Sequence, residues 1–241
     1  MPAVVVIGAK NLGGAILDEF IAQGWDAAGI ARSDETLAKI KERDAVAIAA
    51  DSSDPESLAK ALAEARGQLG GLDAIVNAAS SSKPVPGEPF GGGPIIEANE
   101  DRWQSWGVAP SAMALTFLSQ GARALKEAGG GGALVQIANT LSRRPRPGEG
   151  IWAAGQQGLR ALVNAAAEEL REDGIRVSLV IVDAHIYSPK SAPMAEKLGT
   201  PIEAMADQGA IAEAVRFAAT RDPRGHVYEV VVSAQGMPWV A

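Results

Sequence analysis

Short apolar runs alternate along the chain with stretches in which apolar residues recur every three or four positions. The runs cover residues 3–9, 26–32, 45–51, 72–79, 133–139, 176–183 and 226–234, and they read as seven strands. Most are apolar at nearly every position, the mark of strands buried on both faces of a parallel sheet. Between them, Leu12, Ile16 and Phe20 predict a helix that stops near Gly24. Ser33 or Asp34 caps a helix over 36–43, and Asp54-Pro55 opens another whose buried face is Leu58, Leu62, Ala65 and Leu69. Helical spacing returns over 100–128, with a bend expected at Pro110. It returns again over 152–173, with a stripe of Leu159, Leu162, Val163, Ala166 and Leu170, and over 201–220. Residues 80–99 are rich in Ser, Pro and Gly and predict a long loop, while 184–200 read as a mobile or partly helical insertion. This rhythm implies α/β architecture in one Rossmann-like, doubly wound domain over residues 1–241. Its seven-stranded parallel sheet carries helices on both faces, and ligands sit at the carboxyl ends of the strands.

Composition narrows the functional classes. The net charge of −7, from 22 basic and 29 acidic residues, argues against a nucleic-acid partner, which needs clustered cations. The densest basic group is small: Arg143, Arg144 and Arg146. Without cysteine there is no disulfide, thiolate or Cys-bound zinc chemistry, and two histidines are too few for a His-rich metal site. The apolar start lacks the basic segment of a signal peptide, and no run approaches eighteen uncharged apolar residues. The expectation is a cytoplasmic protein with no membrane partner.

The first apolar run ends in GAKNLGG, which puts Gly8, Gly13 and Gly14 between a strand and a helix. Glycines there let the backbone approach a pyrophosphate, and the helix start offers free N–H groups; a tight turn without ligand uses the same residues. With the order of the remaining pieces, the sequence resembles the short-chain dehydrogenase/reductase family over nearly its whole length. The family's Gly-x-x-x-Gly-x-Gly turn falls on Gly8, Leu12 and Gly14, with Lys10 and Asn11 between; Gly13 stands beside the missing middle glycine. Asp51 and Ser52, in ADSSD, resemble the segment that holds the adenine ring. Asn77-Ala78-Ala79-Ser80 resembles the family's Asn-Asn-Ala-Gly. The second strand ends Ala31-Arg32-Ser33, where an acidic residue goes with NAD and a basic one with NADP; Arg32 and Lys10 therefore imply NADP ahead of NAD.

The family passes a hydride between nicotinamide and a carbonyl or alcohol carbon, with a Tyr as proton donor or acceptor. Free Tyr titrates near pH ~10, and a Lys one turn later lowers that value by its charge. In this chain GEGIWAAGQQGLRAL places Trp152 at the Tyr position and Gln156 at the Lys position. The family's Ser and Asn positions fall on Asn139 and Pro110. Trp152 has no proton to give and Gln156 no charge, while Asn139 can still donate a hydrogen bond. After the sixth strand, Asp183-Ala184-His185-Ile186-Tyr187-Ser188 matches the family's Pro-Gly-x-Ile-x-Thr. The match puts Ser188 beside the nicotinamide carboxamide and offers His185 or Tyr187 as a replacement acid. Asp183, where the family has Pro, reads either as a second unconventional group or as a capping carboxylate. Arg143, Arg144, Arg146 and Glu149 lie in the loop that borders the substrate, either to meet an acidic ligand or as a solvated loop. Trp106 and Trp152 are expected along an aromatic pocket, and Trp103 in the core.

Three readings follow. One is an NADP-dependent reductase or dehydrogenase with a rebuilt site. The second is a nucleotide-binding sensor or regulatory subunit, and the third is non-redox chemistry on the same scaffold. The small-molecule ligand is not specified by sequence. The resemblance also implies a homodimer or homotetramer through the helices near 109–128 and 152–173, where Ala161, Ala165, Ala166 and Ala167 permit close approach.

Overall fold

The computed structural model describes residues 1–80, 86–188, 191–197 and 199–235. Seven strands form one parallel sheet in the order β3-β2-β1-β4-β5-β6-β7. They are β1 (Ala3–Ile7), β2 (Asp26–Ala31), β3 (Val46–Ala49), β4 (Ala74–Asn77), β5 (Ala133–Asn139), β6 (Arg176–Val182) and β7 (Glu229–Val232). The continuous apolar runs have their expected cause. On β1, Val5 and Ile7 join the core beneath α3 (Pro55–Leu69), α5 (Ala109–Glu127) and α6 (Gly150–Glu169). Val4 and Val6 join the opposite core with α1 (Leu12–Ala22), α2 (Asp34–Lys41) and α8 (Gln208–Thr220). Successive side chains point to opposite faces, so a strand covered on both sides must be apolar throughout.

Helix ends follow local chemistry. Ser33, rather than Asp34, caps α2: its Oγ accepts from the Thr36 amide at 3.4 Å. Asp54 caps α3 through the amides of Glu56 and Ser57, with Pro55 as the first helical residue. The expected 201–220 helix begins only at Gln208. Asp207 caps it through the Ala210 amide at 3.0 Å, and Ala206 is already committed to an extended bridge with Ile186. The described part of the 184–200 insertion contains the short α7 (Ala192–Lys197).

Helical structure over 100–127 starts with α4 (Glu100–Arg102), widens into a π-helical turn over Trp103–Val108, and continues as α5. Pro110 explains the widening. It has no N–H for the carbonyl of Trp106, four residues back, and its ring would collide with that carbonyl in a regular helix. The same turn corrects the expectation for the tryptophans. Trp106 is the core residue, 1% exposed, whereas Trp103 is 43% exposed with its ring over Gly107. A π turn rotates the helix face, which turns Trp106 inward in place of Trp103. Residues 81–85 of the predicted loop lie outside the described residues. The rest is anchored by buried Arg102, which pairs with Glu88 and donates to the Glu97 carbonyl at 2.9 Å.

Candidate functional site

A cleft of about 1270 Å³ runs along the carboxyl ends of the strands, where a doubly wound sheet places ligands. All the cofactor positions inferred from sequence except Gly14 line it: Gly8, Lys10, Asn11, Leu12, Arg32, Asp51, Ser52, Asn77, Ala78 and Ser188. Of the catalytic positions, Pro110, Asn139, Trp152 and Gln156 line it as well.

At the β1 end, the glycine turn is close-packed. Gly8 has φ +80°, and a Cβ there would stand 2.4 Å from Ala79 Cα. A Cβ on Gly13 would stand 2.4 Å from the Gly8 carbonyl oxygen. Gly13 is therefore the residue that lets α1 start against β1, which leaves Leu12, on the next position, free to carry a side chain into the core. Asn11 precedes α1 without a side-chain cap; its carbonyl accepts from the Gly14 and Ala15 amides at 2.9 and 3.2 Å. Gly14 is buried, and a Cβ there would approach the Arg43 guanidinium at 3.2 Å.

The β2–β3 edge carries the charged end of the cleft. Arg32 lies 3.9 Å from the Asp51 carboxylate, and Lys10 lies 3.6 Å from that of Glu35. Asp51 also accepts from the amide and hydroxyl of Ser53, at 3.0 and 2.6 Å. The Ser33 and Thr36 hydroxyls are 2.8 Å apart, and Thr36 is buried at the cleft wall. Lys39, bonded to Glu35 at 2.7 Å, and then Lys10 hold the Glu35 carboxyl below the usual carboxylate range.

Where β5 and α6 line the cleft, the side chains are amides, an indole and apolar groups. Asn77, 2% exposed, donates from Nδ2 to Gln136 Oε1 at 2.9 Å and accepts from the Ala79 amide at 3.2 Å. Asn139 turns its Oδ1 to the Leu141 amide at 3.0 Å, capping the 3₁₀ turn Thr140–Ser142. Trp152 packs edge-on to Phe90 (centroids 5.2 Å) and tilted against Trp106 (5.0 Å); Phe90 and Trp106 are 4.9 Å apart. Trp152 Nε1 and Gln156 Oε1 are buried and have no hydrogen-bond partner among the described residues. The ionisable side chains among the described lining residues are Lys10, Arg32, Asp51 and Asp101. None of them belongs to β5, α6 or the segment after β6, the elements that carry Asn139, Trp152, Gln156 and Ser188.

Two groups of expectations change. The segment after β6 is extended, with the Tyr187 amide donating to the Ala206 carbonyl at 2.9 Å and the Ala206 amide to the His185 carbonyl at 2.8 Å. Alternation then sends Ala184, Ile186 and Ser188 to the cleft, and His185 and Tyr187 to the exposed side, so neither proposed replacement acid lines the cleft. The arginine loop is tied to the sheet. Arg144 pairs with Asp183 at 2.8 Å, and the Thr140 hydroxyl donates to the same carboxylate, which is 6% exposed. Asp183 is therefore neither a helix cap nor a free acid. Arg143 lies 3.9 Å from Glu229, which also pairs with Arg160 at 2.8 Å; Arg146 is exposed. Gln136, Thr36 and Phe90 were not singled out from sequence. Gln136 alone left a signal, as the one polar residue inside an otherwise apolar strand.

The profile of the short chain dehydrogenase family matches residues 2–186. An uncharacterised NAD-dependent oxidoreductase of Mycobacterium tuberculosis is 32% identical over 146 residues, 61% of this chain and 48% of that protein. The chain thus spans about half the length of that relative. A sorbitol dehydrogenase of Cereibacter sphaeroides is 24% identical over 206 residues, 83% of this chain and 77% of its own. Among solved structures, an actinorhodin polyketide ketoreductase with NADPH superposes with a TM-score of 0.82, at 20% identity over 97% of this chain and 96% of that one. An alcohol dehydrogenase from Thermococcus sibiricus complexed with 5-hydroxy-NADP gives a TM-score of 0.77, at 20% identity and full coverage of both chains.

Proposed function

This chain belongs to the short-chain dehydrogenase family, and from that premise we propose that it binds a nicotinamide dinucleotide, NADP(H) ahead of NAD(H), without the family's usual proton-transfer chemistry. Its role is then that of a nucleotide-binding sensor or regulatory subunit. The observation that carries this reading is the chemistry of the cleft wall near the expected nicotinamide: among the described lining residues, β5, α6 and the segment after β6 contribute no titratable side chain.

The residues present fit such a cofactor. The Gly8–Gly13 contact leaves backbone, not side chain, at the start of α1, which suits a pyrophosphate. Asp51 and Ser52 would meet the adenosine, and Lys10 and Arg32 its ribose phosphate. Asn77, Ala78 and Ser188 would border the nicotinamide half. When bound and reduced, that group supplies a hydride. The chain's own residues would bind and orient it, and Trp152, packed against Phe90 and Trp106, would give that wall of the cleft an apolar ring. None of them would move a proton at neutral pH: Trp152 presents an indole N–H, and Gln156 and Asn139 present amides.

A panel of aldehydes and ketones incubated with NADPH tests this reading by loss of nicotinamide absorbance. The expected rate is that of the protein-free control, and it stays there in His185→Ala and Tyr187→Phe. Robust turnover of any carbonyl by the unsubstituted protein contradicts it. For assembly, we propose a homodimer or homotetramer through α5 and α6, supported by the exposed Leu115, Ala161 and Ala165 along these neighbouring helices. Ala166 and Ala167, by contrast, are used up inside the core.

A further inference from the structure

At the charged end of the cleft one carboxylate has no place in the dinucleotide reading. Glu35 sits in the first turn of α2 with its side chain 61% exposed, between two ammonium groups: Lys39 at 2.7 Å and Lys10 at 3.6 Å. The Lys39 bond is an ordinary pair one helical turn apart. The Lys10 contact is different, because it crosses from the glycine turn after β1 to the helix after β2. Lys10 lines the cleft and Glu35 does not. Glu35 therefore holds, from behind, one of the two cleft-lining cations that would meet a ribose phosphate. Arg32, the other, has Asp51 at 3.9 Å on the opposite side.

Resting on the NADP reading above, we propose that Glu35 is a specificity-determining residue: an internal counter-anion for Lys10 that competes with the 2′-phosphate and so narrows the preference for NADP(H) over NAD(H). A phosphate arriving beside Lys10 must share that ammonium with the Glu35 carboxylate and also feels its like charge. NADH carries a neutral 2′-hydroxyl at that position, so it meets no charge repulsion from Glu35 there. Because Lys39 and Lys10 hold Glu35 below the usual carboxylate range, the competing charge is present throughout the neutral range.

Titration with NADPH and with NADH, followed by nicotinamide fluorescence and by calorimetry, separates the possibilities. Glu35→Gln should tighten NADPH binding about twofold to fivefold, the size of an exposed charge interaction, and leave NADH unchanged. The difference should fade near 0.5 M salt, where screening is short-ranged. In a Lys10→Gln background the same substitution should have a smaller selective effect, since the competition for Lys10 is gone and only direct like-charge repulsion remains. Glu35→Asp, with a shorter reach to Lys10, should fall between. Glu42→Gln, at the other end of α2, controls for net charge and should change neither affinity selectively. If the unsubstituted protein binds NADH as tightly as NADPH, phosphate recognition itself fails and the proposal falls with it. If NADPH is preferred but Glu35→Gln moves both cofactors alike, or neither, phosphate recognition stands and the role of Glu35 is overturned.

Discussion

Gln156 shows how a single position carries the account. It is 7% exposed, lines the cleft, and leaves Oε1 without a partner among the described residues. An unpaired buried amide oxygen costs about 1–3 kcal/mol, so replacing it with an apolar group of like shape is nearly neutral or stabilising. We predict that Gln156→Met leaves stability unchanged or raises it by up to about 1 kcal/mol in urea unfolding. A loss of about 2 kcal/mol or more would show that the amide is satisfied and structural. The identity of Trp152 and Gln156 was legible in the sequence because the register of GEGIWAAGQQGLRAL is anchored by Gly158-Leu159. Their surroundings were not. Phe90 reaches Trp152 from a loop more than fifty residues away, and no local pattern announces that contact. His185 and Tyr187 went astray for a related reason: their side is set by pairing with Ala206, a long-range bridge.

At the scale of elements, the crossing of α6 over the π turn fixes where Trp152 stands. Gly155 lies at the contact, and a Cβ there would come within 2.5 Å of the carbonyl oxygens of Trp106 and Gly107. Gly155→Ala should therefore cost about 1–3 kcal/mol by overpacking, even though alanine favours helix. Gly67→Ala in α3, with nothing within 4 Å of the new Cβ, should stabilise by about 0.5–1 kcal/mol. Thermal unfolding of the two variants checks the contrast, and equal shifts would mean that α6 does not approach the π turn so closely. The strands and most helices were legible because burial on both sheet faces and capping chemistry act locally, as at Asp54-Pro55. The π turn was legible only as a bend at Pro110. What the bend does to the face of the helix, turning Trp106 in and Trp103 out, depends on ring size, which apolar spacing does not encode.

For the whole molecule, the described ionisable lining residues follow β1, β2 and β3 or sit on α4, while β5 and α6 line the cleft with amides, an indole and apolar groups. That division predicts a protein that holds a phosphorylated dinucleotide more firmly than it uses it. No helix among the described residues is long and apolar enough to cross a membrane. Assembly through α5 and α6 predicts a dimer or tetramer by sedimentation, shifted to monomer by Leu115→Glu; a monomeric unsubstituted protein would rule that interface out. The most direct test of the central claim is the titration of the purified protein with NADPH and NADH under identical salt, read by nicotinamide fluorescence. The account predicts saturable binding with NADPH the tighter ligand. Absence of saturation with either dinucleotide, or tighter binding of NADH, would contradict it.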